Sequence, residues 1–177
     1  MMLSDNNKTK KWIGKRIISG GELEEYFSSI KDKIIGKTLD KIFISGILFG
    51  ECFENEDVLD DKNLVLDEPV ILCFDDTHLE LDYSYGSLVY VAENTLNIDE
   101  MRDVSNKFAE NILGHKLVDI QIVKTDKVYF MNFESLGIER NDGDDMFDEI
   151  RFVFDNGCKL EISSDACDYM YVLEIEA

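Results

Sequence analysis

The chain has 177 residues and a formal net charge of −20, with 45% hydrophobic and 11% aromatic residues. That apolar content supports a folded core in one domain or two small ones and is too high for a disordered chain. The charge has the wrong sign for holding nucleic-acid phosphates or an anionic membrane surface, and it points instead to basic protein partners.

Residues 1–18 read as a basic N-terminal segment. Lys8, Lys10, Lys11, Lys15 and Arg16 stand there against Asp5 alone, which leaves roughly −24 on the remainder of the chain. No apolar stretch of signal-peptide type follows, and no apolar run is long enough to cross a bilayer, so a cytoplasmic protein is expected. Cys52, Cys73, Cys158 and Cys167 form no metal-type pair, and a disulfide framework is not expected.

From Ser19 the pattern turns helical. Ser19 is a good N-cap with Glu22 three residues on, and Leu23, Tyr26, Phe27, Ile30 and Ile34 make one apolar stripe. Gly36 suits the helix end. Leu39, Ile42 and Ile44 then alternate, as a first strand does. An acidic segment follows, with Glu51, Glu54, Glu56, Asp57, Asp60, Asp61, Asp67 and Glu68. After it, "VILCFDDTHLELDY" and "SLVYVAEN" read as a three-strand meander.

The same order recurs. Asn97 and Glu100 repeat the capping pattern, and Met101, Val104, Phe108 and Ile112 repeat the stripe. "ILGHKLVDIQI" echoes "IIGKTLDKIFI". A second acidic segment holds Glu139, Asp142, Asp144, Asp145, Asp148 and Glu149, and "IRFVFDNGCKLEIS" then matches the first meander apart from one inserted residue. The expected fold is therefore α+β, a tandem duplication of a helix plus antiparallel-sheet unit. Each copy would read helix, strand, acidic loop and three-strand meander, over 19–96 and 97–177, the two packed as one globular unit. Glu80 and Glu161, set between large apolar residues, are expected to face away from the core.

No catalytic constellation emerges. His78 and His115 lie in different copies and do not correspond. "NDGDDMFDE" misses the calcium-loop pattern, and no Gly-rich phosphate loop is present. No catalytic residue, metal or cofactor is assigned. The two acidic segments are the expected partner-binding sites, offered to a basic protein.

"IIGKTLDKIFI", "LELDYSYGSLVYVAENTL" and "IRFVFDNGCKLEIS" together resemble small uncharacterised acidic bacterial proteins. In size and acidity the chain is also similar in type to immunity proteins of bacterial toxin systems. That likeness implies a non-enzymatic inhibitor that covers the active face of a basic, nuclease-type toxin domain. The alternatives are a small enzyme with a carboxylate-lined, metal-dependent site, and an accessory protein whose acidity only keeps it in solution.

Overall fold

The computed structural model describes residues 12–45, 63–66, 68–84, 88–126, 137, 145–164 and 171–177. In chain order the elements are strand β1 (Lys15–Ile17), helix α1 (Gly20–Ile34), and strands β2 (Leu39–Ile44), β3 (Asn63–Leu66), β4 (Val70–Phe74), β5 (Thr77–Ser84) and β6 (Leu88–Glu93). A 3-10 turn over Ile98–Glu100 leads to β7 (Arg102–Asp103) and the one-turn helix α2 (Ser105–Phe108). Strands β8 (Leu117–Lys124), β9 (Phe147–Phe154), β10 (Lys159–Ser164) and β11 (Tyr171–Glu176) complete the chain. The pairings form two antiparallel sheets, in the orders β1-β6-β5-β4-β2-β7 and β3-β11-β10-β9-β8.

This corrects the expected α+β tandem duplication. Strands hold 51% of the described residues and helix 18%, and among the described residues of the second half there is no long helix. The first helix forms as read. Ser19 Oγ accepts from Glu22 N at 3.2 Å, Glu22 Oε2 accepts from Ile18 N at 3.1 Å, and the apolar stripe is buried.

Over 97–112 the cap forms, since Asn97 Oδ1 accepts from Asp99 N at 3.2 Å, but the helix stops after one 3-10 turn. Tertiary contacts take the segment elsewhere. Leu96, Ile98 and Met101 pack on Phe43, Ile71 and Cys73, which lie on the outer face of the first sheet. Arg102 and Asp103 then pair with Ile44 and Phe43 on the edge of β2. Ser105 fixes the next turn: its Oγ accepts from Ile42 N at 2.9 Å and donates to Ile42 O at 3.4 Å. Burial and strand pairing thus override a weak local helix preference.

What the halves share centres on four strands. β2, β4, β5 and β6 are neighbours in the same order as β8, β9, β10 and β11, and both first pairings shift register after their first residue, between Leu39 and Lys41 and between Leu117 and Asp119. The inserted residue has a definite place. The first hairpin turns tightly through Asp75, at φ 48°, and Asp76. In the second, Phe154 N donates to Cys158 O at 2.9 Å and Gly157 N to Phe154 O at 3.0 Å, with Gly157 at φ 87°. The extra residue is taken up at this left-handed position, a bulge that glycine allows.

The two sheets meet at a reciprocal junction. Gly36 N donates to Leu117 O at 2.7 Å and Gly114 N to Leu39 O at 2.9 Å. Leu39 N donates to His115 O, and Leu117 N to Lys37 O, both at 3.0 Å, around a Thr38–Lys116 bridge.

The halves also exchange elements. β3 pairs with β11 in the second sheet, and β7 with β2 in the first. α1 lies over β8, its Phe27 ring edge-on to Phe152 at 5.9 Å between centroids. One apolar core runs through all of this, from Ile42, Leu72, Phe74 and Leu81 of the first sheet to Leu117, Phe152, Phe154 and Leu160 of the second. Tyr83 adds a polar tie, its hydroxyl donating to Phe147 O at 3.2 Å.

Candidate functional site

The two sheets differ on their outer faces. On the first, the 94–101 segment covers Phe43, Ile71 and Cys73, and burial pushes the Cys73 thiol up to about 11. Glu80 faces that side, as expected, but it is fully buried. Its carboxylate accepts from Thr95 N at 2.6 Å, Leu96 N at 2.7 Å, the Trp12 indole at 2.7 Å and the Thr95 hydroxyl. Glu80 thus faces away from the core as expected, and a loop and an indole close over it there.

On the second sheet the outward positions of β8 to β11 are mostly polar, with Val123, Val153 and Val172 among them. Strand register sets Arg151 beside Glu161 and Glu161 beside Glu174, while Lys159 lies beside Glu176 in the next row. Arg151 Nε pairs with Glu149 and with Glu161, the latter at 2.9 Å, and Lys159 Nζ sits 2.6 Å from Glu176. Asp119 belongs to the same outer row, opposite Val153. Among the described residues, five carboxylates share this face with two cations, Arg151 and Lys159. The imbalance is felt at Glu161. Partial burial, then the Glu149 carboxylate, raise its pKa, with Glu176 adding to the effect and Arg151 opposing it. Glu176, exposed, is held below its usual value by the Lys159 hydrogen bond.

Of the partner-binding residues expected from the sequence, Glu68, Asp145, Asp148 and Glu149 are described; Glu51, Glu54, Glu56, Asp57, Asp60, Asp61, Asp67, Glu139, Asp142 and Asp144 lie outside the described residues. The four are not brought together as one patch. Glu68 is exposed and accepts from Ser45 Oγ at 3.0 Å. Asp145 serves the start of α1: its carbonyl accepts from Gly20 N at 2.7 Å, and its carboxylate holds Lys124, which also reaches Glu24 at 3.2 Å. Despite some burial, these carboxylates raise the Lys124 pKa. Asp148 is half-buried on β9. Glu149 alone belongs to the acidic sheet face. Glu161, Glu174, Glu176 and Asp119 are not singled out as binding residues by the sequence, since they are spread over three strands. Their signal was the alternation of "KLEIS" and "VLEIE", read across strands instead of along the chain.

The His115 ring finds an ordinary partner, and His78 is held through its backbone. His115 Nδ1 meets Asp155 Oδ1 at 2.8 Å, and at the matching corner Lys37 Nζ lies 3.3 Å from Asp75. His78 N donates to Asn94 Oδ1 at 2.8 Å. Among the described residues no group of three or more His, Cys, Asp or Glu is placed to hold a metal ion. A shallow cleft of about 180 Å³ lies between α1 and β8, lined by Phe27, Ile35, Ile120 and Ile122 with Glu24 and Lys31 at its rim. Among the described residues no helix is long and apolar enough to cross a membrane. Compared with protein-family models, curated proteins and solved structures, the chain matches none.

Proposed function

We propose that the chain is a non-enzymatic acidic binding protein of the immunity type, which holds a basic protein partner such as a nuclease-type toxin domain. The observation that supports this reading is the outer face of the second sheet. It is a broad, regular surface on which Asp119, Glu149, Glu161, Glu174 and Glu176 outnumber Arg151 and Lys159, on a chain of net charge −20. Such a face draws in a cationic partner over distances of about a Debye length and raises the association rate. Strands set its charges at fixed spacings, so the partner's Lys and Arg meet a preformed pattern. The acidic segments 51–68 and 139–149 add to the net negative charge of the chain.

The test begins with the partner recovered by co-purification with the tagged full chain. Association rates are then measured over a salt series for the parent and for the Glu161→Gln, Glu174→Gln, Glu176→Gln triple variant. The variant is expected to associate about tenfold more slowly at low salt, with a flatter salt dependence. Equal rates at low salt would mean that the acidity of this face serves solubility alone.

A further inference from the structure

Both meanders carry an added strand at the same edge. β1 lies antiparallel on β6, the last strand of the first meander, and β3 lies antiparallel on β11, the last strand of the second. Each added strand comes from elsewhere in the chain, so this edge is a strand acceptor on both sheets. The two additions differ in how they are anchored. β1 is only three residues long, with Lys15 and Arg16 exposed and Ile17 fully buried.

Ahead of β1, Trp12 folds back to give its indole N–H to Glu80. Gly14 makes that possible: a Cβ there would lie 2.6 and 2.9 Å from atoms of the Trp12 ring and 3.0 Å from Tyr90 Cβ. All the donors named on the buried Glu80 carboxylate are neutral, and the others come from Thr95 and Leu96, directly after β6. The indole is the donor that arrives on a separate segment. A buried carboxylate loses much when a hydrogen bond is removed, whereas a three-residue strand has few ladder bonds with which to retain that donor.

We propose that residues 12–17 are a displaceable strap, occupying within the chain an acceptor site built for a basic extended segment of a partner protein. The segment adds as a strand to β6 and seats an aromatic N–H on Glu80. The strap itself defines the chemistry of the occupant. It has an indole for Glu80, a β-branched apolar side chain for the slot that Ile17 fills, and exposed Lys and Arg between them, on a body of opposite charge. Strand addition supplies affinity through the main chain and specificity through these alternate side chains. The site lies on the first sheet, apart from the acidic face of the second, so it would outlast a failure of that reading.

The test uses the full chain and its one tryptophan. Gly14→Ala removes the space for the indole without touching the core. Its Trp12 emission is expected to shift to the red, and a dye-labelled peptide of residues 12–18 is expected to bind it about tenfold more tightly than the parent. Adding Glu80→Gln should weaken that binding by about tenfold, and a scrambled peptide should not bind. Equal binding to parent and variant, or equal binding of the scrambled peptide, would overturn the proposal. Hydrogen exchange on the unaltered chain decides the matter independently of any variant: the Ile17 amide should exchange far faster than those of β4 and β5. Equal protection would make β1 a fixed part of the sheet.

Discussion

Glu161 carries the clearest link between ionisation and stability. Burial and the neighbouring Glu149 raise its pKa in the folded chain. An acid of this kind weakens the fold once it is ionised in both states, and the penalty disappears as pH falls below the unfolded value of about 4.3. Glu161→Gln is therefore expected to raise the Tm at pH 7 and to leave it unchanged near about pH 3. Equal shifts at both pH values would assign the effect to packing. Asp103 has the opposite sign. Burial works against it, yet the hydrogen bonds from Ser105, and after them Lys41, pull its carboxyl below the usual range. Its contribution is present above about pH 3.9 and is lost as pH falls through the folded pKa, so Asp103→Asn should lower the Tm at neutral pH and converge with the parent in acid. Ser105→Ala removes the buried acceptor of Ile42 N, and chemical denaturation should show a loss of about 1–3 kcal/mol.

α1 is anchored on a sheet built mostly from the other half. Phe27→Ala, which empties the contact with Phe152, is expected to cost about 3–5 kcal/mol by urea unfolding, as a buried ring should. A cost below about 1 kcal/mol would mean that α1 is peripheral to the core. This helix and both hairpins were legible in the sequence, since N-cap chemistry, a stripe of five apolar residues and strict alternation are local signals. The second helix was misread for a physical reason. Asn97, Met101, Val104 and Phe108 satisfy the same local rules, but Met101 belongs to the cover over Phe43 and Ile71, and Arg102 and Asp103 to the edge of β2. Those demands come from residues distant in the chain, as do the exchange of β3 and β7 and the burial of Glu80 by Trp12. The acidic face was hidden in the same way. Each of its strands offers one or two carboxylates, and only strand register makes them neighbours.

The larger core of the described residues is fed by both halves. A fragment of residues 1–96 keeps the first meander but loses Phe152, on which Phe27 packs, and β11, on which β3 pairs. It is expected to aggregate or to melt without a cooperative transition, followed by calorimetry. A soluble fragment with a sharp transition would show that the first sheet sustains itself.

The crossed hydrogen bonds between Gly36, Leu39, Gly114 and Leu117 also bear on how the chain reaches this state. They join points about eighty residues apart, so closing the junction spends the entropy of a long loop before any bond is returned. Each meander can assemble from near neighbours, whereas the junction waits for both. Alanine at Gly36 or Gly114, each left-handed at φ 79° and 76°, strains a contact made late. Such variants should unfold faster while folding at nearly the parental rate, which would place the closing of this clasp after the rate-limiting step.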